Sequence, residues 1–147
     1  MAVRGTALFC DDIRLEASGQ TSLIGCYAGQ LIVHRSWPVT LPKLAVLALV
    51  DAPRDAPPRD IVLRIVLDPG DAVVFEARIS AERDEPMQAA EQDVSSDTYL
   101  RFGFNVVLGP LEIEDESWLR ARAVCDGEEI KLGSLKIVSV PAPEGAN

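Results

Sequence analysis

Thr98-Tyr99-Leu100-Arg101-Phe102-Gly103-Phe104-Asn105-Val106-Val107-Leu108 decides the fold. Leu100, Phe102, Phe104, Val106 and Leu108 fall on one side of an extended chain. Tyr99, Arg101, Gly103 and Asn105 fall on the other. That period of two belongs to a β-strand with one dry and one wet face. Trp118 to Cys125 repeats it, with Leu119, Ala121, Ala123 and Cys125 opposite Arg120 and Arg122. Asp126-Gly127 follows, the dipeptide that best suits a type I′ hairpin turn. Glu128 to Leu132 and Leu135 to Val140 complete that part, with a bulge expected at Gly133-Ser134.

Working back along the chain, short apolar runs and turn signals keep alternating. Thr6 to Glu16 and Thr21 to Tyr27 flank Ser18-Gly19-Gln20 and read as a hairpin. Gln30 to His34 is a further short strand after a bend at Ala28-Gly29. Leu44 to Val50 is continuously apolar, as in a strand covered on both faces or at the centre of a sandwich. Asp51 to Asp60, with three prolines, reads as a surface loop. Ile61 to Leu67 and Ala72 to Ile79 flank the turn Asp68-Pro69-Gly70-Asp71, with Val73, Phe75, Ala77 and Ile79 expected on one face. Pro86 opens the one stretch suited to a short helix.

The expected fold is therefore all-β: an antiparallel two-sheet β-sandwich, immunoglobulin-like or C2-like, with at most one short helix. Residues 1–140 form the single domain and 141–147 a flexible tail. The 147 residues, 48% hydrophobic and 25% charged, suit one globular domain. No apolar run approaches the roughly 18 residues that span a bilayer, so no membrane partner is expected. A net charge of -9 opposes binding to phosphate backbones, so no nucleic acid is expected either. The N-terminal apolar stretch ends at Asp11-Asp12, too short for a signal-peptide core, which points to the cytoplasm. Three cysteines, Cys10, Cys26 and Cys125, sit in apolar runs and read as reduced core thiols. Eleven arginines against three lysines point to a GC-rich bacterial genome.

Phe9-Cys10-Asp11-Asp12-Ile13-Arg14, Gly19, Ser22-Leu23-Ile24-Gly25 and Tyr27, followed by Pro38-Val39-Thr40-Leu41-Pro42-Lys43-Leu44, form a recognisable pattern. It resembles a family of short bacterial proteins of unknown function, over the first third of the chain. The resemblance implies a small sandwich and brings no activity or site residues.

Catalytic patterns are weak. His34 is the one histidine, and no Gly-x-Ser-x-Gly surrounds a nucleophile. The cysteines lack paired zinc-ligand spacing. No cofactor is expected, and the protein reads as a non-enzyme. Asp11 and Asp12 interrupt an apolar strand, which calls for a bulge there or a hydrogen bond to a neighbouring loop. Trp37 and Trp118 read as core anchors rather than stacking platforms.

Charge is unevenly spread. Residues 1–73 carry 7 basic and 8 acidic side chains, residues 74–147 carry 7 and 15. The excess lies in Glu82 to Asp97 and in Glu112, Glu114, Asp115 and Glu116. With the Trp37 to Pro42 loop, these acids form the candidate partner-binding surface. The functional expectation is a protein-binding module. A structural subunit of a phage-derived or other self-assembling complex is the second reading. A pocket between the sheets, using His34 with Cys10 or Asp12 for small-molecule binding or catalysis, is the third.

Overall fold

A computed structural model describes residues 2–80 and 98–140, and they contain strands and no helix. The eleven strands are β1 (Arg4–Leu15), β2 (Thr21–Cys26), β3 (Gln30–Val33), β4 (Val39–Leu41), β5 (Leu44–Pro53), β6 (Asp60–Asp68), β7 (Ala72–Ser80), β8 (Tyr99–Leu108), β9 (Leu111–Ile113), β10 (Ser117–Cys125) and β11 (Glu128–Ser139). The expected helix at Pro86, the acidic run Glu82 to Asp97 and the 141–147 tail lie outside the described residues.

Two sheets form the sandwich, in the orders β2-β1-β5-β8 and β3-β11-β10-β6-β7, with β4 and β9 paired as a small third sheet. The alternating residues meet between the two large sheets. Val46, Val50 and Phe102 from one sheet and Leu63, Ile65, Leu119 and Leu135 from the other belong to a single buried cluster. Each such aliphatic side chain contributes about 1.5–3 kcal/mol relative to exposure.

The alternation read in β8 and β10 is present as expected: Phe102, Phe104, Val106, Leu108, Leu119, Ala121, Ala123 and Cys125 are all buried. The Asp126-Gly127 turn has positive φ at both positions, 49° and 86°. The Asp126 carboxylate also accepts the backbone N–H groups of Arg59 and Asp60, at 3.0 and 2.9 Å. It thereby ties the hairpin to the start of β6.

Several local expectations are corrected. The pairing is not wholly antiparallel, because β3 lies parallel to β11, with Leu31 opposite Ile137. After Tyr27 the chain crosses from one sheet to the other, so β3 cannot extend the β1–β2 hairpin. β5 runs on to Pro53, past the start of the expected loop. Asp51 is tolerated in the ladder because Arg101, directly opposite, donates to both carboxylate oxygens at 2.8 and 3.1 Å. The bulge in β11 falls at Leu132, not at Gly133-Ser134: Ala121 faces Gly133, and Arg122 faces Lys131. A second bulge at Val74 breaks the expected face of β7. Val73 turns outward at 53% exposure, while Val74 and Phe75 both pack on the core. No bulge occurs at Asp11-Asp12: the β1–β2 register keeps the same offset from Cys10 opposite Cys26 to Leu15 opposite Thr21, with an interruption at Asp11 and Gly25, where Gly25 has a φ of 67°.

Close approach of β1 and β11 sets the spacing of the sheets at one end. A Cβ on Gly5 would stand 2.4 Å from the Leu49 carbonyl oxygen and 2.5 Å from Leu132 Cδ2. The first neighbour is backbone and cannot swing aside. Gly5→Ala is therefore expected to destabilise by about 1–3 kcal/mol, the usual cost of overpacking. Urea unfolding with an unchanged m-value would measure it, and an unaltered midpoint would contradict the packing described.

Candidate functional site

β5 is apolar on both faces, yet it has strands beside it and a sheet on only one of its faces. Leu44, Val46, Ala48, Val50 and Ala52 point into the sandwich. Ala45, Leu47 and Leu49 therefore point out, since neighbours alternate. The register carries this outer face across the sheet. Leu8 stands opposite Leu47, Cys10 opposite Ala45, and Ala45 opposite Val107. Leu8 is 43% and Val107 59% exposed, while Leu47 and Leu49 are half-buried. Ile24, 40% exposed on β2, adjoins them opposite Asp12. Among the described residues no element covers this face.

Charge closes the patch at both ends. At one end Arg4, Asp51 and Arg101 form a row across three strands, with the Arg101–Asp51 ion pair at 2.8 Å. Arg4 and Arg101 also stand about 6 Å from the Tyr99 ring centre, at 5.9 and 6.0 Å. At the other end Asp12 takes Lys43 Nζ on one oxygen and Arg14 Nε, at 3.5 Å, on the other. The Lys43 ammonium is the main cause that holds the Asp12 carboxyl below its usual range. Asp12 is thus half-buried and paired, and Asp11 is exposed and accepts the Tyr27 hydroxyl. Burial first, then Asp11, pushes the Tyr27 hydroxyl up to about 12. The two acids serve as hydrogen-bond acceptors for a neighbouring loop, one of the two arrangements expected of them.

The outer face of the five-stranded sheet has the opposite character. Arg64 pairs with Glu76 at 3.0 Å, Arg78 with Asp60 at 3.1 Å, and Arg120 with Asp68 at 2.9 Å. Arg122 lies 3.8 Å from both Asp68 and Glu129. Val62 and Val66, which also point outward, are nevertheless buried. A 340 Å³ cleft opens among Asp68, Arg120, Arg122, Lys131 and Ser134, beside the Leu132 bulge. Trp118 belongs to this face and not to the core. It is 36% exposed, with the Arg120 guanidinium 5.1 Å and the Lys136 ammonium 5.7 Å from its ring.

The residues first singled out for partner binding do come together. β4 pairs with β9, placing Thr40 opposite Glu112. Trp37 precedes β4 by two residues, and Glu114, Asp115 and Glu116 follow β9 directly. Their roles differ, however. Trp37 packs partly buried against the core. Asp115 accepts the Glu116 N–H at 2.8 Å within its own turn, and Glu116 pairs with Lys136 at 3.4 Å. Glu112 and Glu114 are exposed, with no ion pair among the described residues.

The side chains that a catalytic site would need do not converge on His34. His34 is exposed and lines a 230 Å³ cleft with Val33, Arg35, Val39, Leu41 and Pro42, a lining that includes neither Cys10 nor Asp12. Cys125 lies on the inner side of the five-stranded sheet, where burial pushes its thiol up to about 11. Cys26 is exposed, against the expectation of three core thiols, because it ends an edge strand. Among the described residues no three His, Cys, Asp or Glu side chains gather as metal ligands. None of the described helices, there being none, is long and apolar enough to cross a membrane. The apolar outer face was missed in the sequence because a run such as Leu44 to Val50 does not say which of its faces is left bare.

No family model, curated protein or solved structure matches the chain.

The Asp12–Lys43 contact makes a pH-dependent contribution whose sign is fixed. A depressed carboxyl stabilises the fold above its ordinary value of 3.8 and loses that contribution as pH falls through the folded value. Lys43→Met is expected to be less stable than the parent at about pH 7, with the gap narrowing below about pH 4. Urea unfolding at the two pH values tests this; a gap that is constant with pH contradicts it.

Proposed function

We propose that the protein is a non-enzymatic binding module that docks another protein against the outer face of its four-stranded sheet. The observation that carries this reading is the contrast between the two outer faces. One is laced with ion pairs. The other is apolar at Leu8, Leu47, Leu49 and Val107, with Thr6 and Asn105 as uncharged polar members and charge only at its two ends. An apolar centre within a polar rim is the anatomy of a protein interface. Contiguous exposed apolar area on one sheet face is also costly to leave in water. The partner that fits is a protein surface presenting apolar side chains to the centre and opposite charges to Arg4 and Lys43.

This reading moves the docking surface away from Glu112, Glu114, Asp115, Glu116 and Trp37. Two of those acids already have partners and Trp37 contributes to the core. Self-assembly through the same apolar face is the second reading, favoured by the two exposed sheet-edge strands, β2 and β8, that flank it.

The test pairs two surface variants. Leu8→Glu with Val107→Glu places charge in the apolar centre; Glu112→Lys with Glu114→Lys reverses the acidic lobe. Both sets alter exposed side chains, so the melting temperature should hold. Partner capture from the source lysate at fixed stoichiometry is expected to fall at least tenfold in the first variant and to persist in the second, since two apolar anchors of the interface are lost. The reverse pattern sinks the proposal. A parent protein that dimerises alone, by light scattering, and a Leu8→Glu, Val107→Glu variant that does not, would establish self-assembly instead.

A further inference from the structure

We propose that Cys10 and Cys26 form a redox-modification site, a dithiol that small-molecule disulfides convert to a cross-strand disulfide. The inference is independent of what docks on the sheet. It begins with register: Cys10 and Cys26 are direct partners on β1 and β2. The Tyr27 N–H donates to the Phe9 carbonyl at 2.9 Å. Directly opposed residues of an antiparallel pair have Cα atoms about 4.5–5.5 Å apart, inside the roughly 4.4–6.8 Å that a disulfide spans.

Both side chains lie on the outer face. Cys10 is fully buried yet stands outside the central cluster, beside Ala45. The thiols are close enough that a charge on Cys26 adds to the rise in the Cys10 pKa, after burial. Among the described residues β2 is an edge strand paired with β1 only, which leaves it freer to adjust to S–S bonding than an interior strand.

Exposure divides the roles. Cys26 is exposed and meets the oxidant first. Its thiolate attacks one sulfur of the disulfide RSSR, forming a Cys26–S–S–R bond and releasing RS⁻, which takes up the Cys26 proton. The Cys10 thiolate then attacks the Cys26 sulfur, forming Cys10–S–S–Cys26 and expelling the second RS⁻, which takes up the Cys10 proton. Two thiols are oxidised and one RSSR is reduced to two RSH. The second step is intramolecular, so the burial of Cys10 does not obstruct it. Cys10 donates its S–H to the Asp12 carbonyl at 3.3 Å and its thiol is pushed up. The closing step should therefore quicken as pH rises.

The test incubates the full chain with oxidised glutathione and reads intact mass, then alkylates under denaturing conditions. The expected product is a monomer lighter by about 2 Da, the two hydrogens lost in oxidation. Three free thiols should fall to one, Cys125. Cys26→Ser should retain its mass. Cys10→Ala should stop at the glutathione adduct on Cys26. Two results overturn the proposal. One is a stable glutathione adduct on Cys26 in the parent protein while Cys10 remains alkylatable. The other is a Cys26-linked dimer in place of the lighter monomer.

Discussion

β5 is paired along its length on both sides, and the register of that pairing governs the molecule. Leu44 to Pro53 meets β8 residue for residue, and Arg4 to Cys10 lies along its other side. In a strand every side chain is assigned to a face by its position, so a slip of one residue would exchange the two faces. The Arg101–Asp51–Arg4 row opposes such a slip. It would have to break a two-point carboxylate–guanidinium contact and carry a charge inward. With the register fixed, Val46 and Val50 must fill the core, and Leu47 and Leu49 must stand outside it. The sandwich and its apolar outer face are thus two results of one pairing.

The alternating strands were the legible part of the fold. β8 and β10 follow their hydrophobic pattern to the residue, and Asp126-Gly127 forms the turn its chemistry favours. Bulges were less legible. Leu132 and Val74 are ordinary strand residues, and nothing local distinguishes the one that will be left unpaired; the choice is made by what packs beneath. The end of β5 reads as a loop because three prolines and alternating charges fill Asp51 to Asp60. Arg101, fifty residues away, supplies the ion pair that keeps it in the sheet.

The candidate site was partly legible. Sequence reasoning joined the Trp37 to Pro42 loop with the acids after Leu111, and β4–β9 pairing brings them together. It could not know that Lys136 and the backbone of the turn already engage two of those acids. The apolar face was hidden for a related reason. A strand with two apolar faces signals cover on both, whereas among the described residues a sheet packs on only one of them. Trp118 was misplaced for want of its partners, since Arg120 and Lys136 make an outward indole favourable.

The parallel pairing of β3 with β11 joins residues near position 30 to residues near position 138. During synthesis β3 leaves the ribosome with no strand to lie against, and it waits while most of the chain is made. β11 is also the inner neighbour of β10, so the five-stranded sheet lacks an interior member until the final strand emerges. The four-stranded sheet, by contrast, has all its strands once Leu108 is out. Vectorial synthesis therefore builds the two halves of the sandwich in sequence. During that interval only β6 and β7 of the larger opposing strands are available to cover the first sheet, with β10 and β11 still to come, at the stage when nascent chains are most open to chaperones and to aggregation.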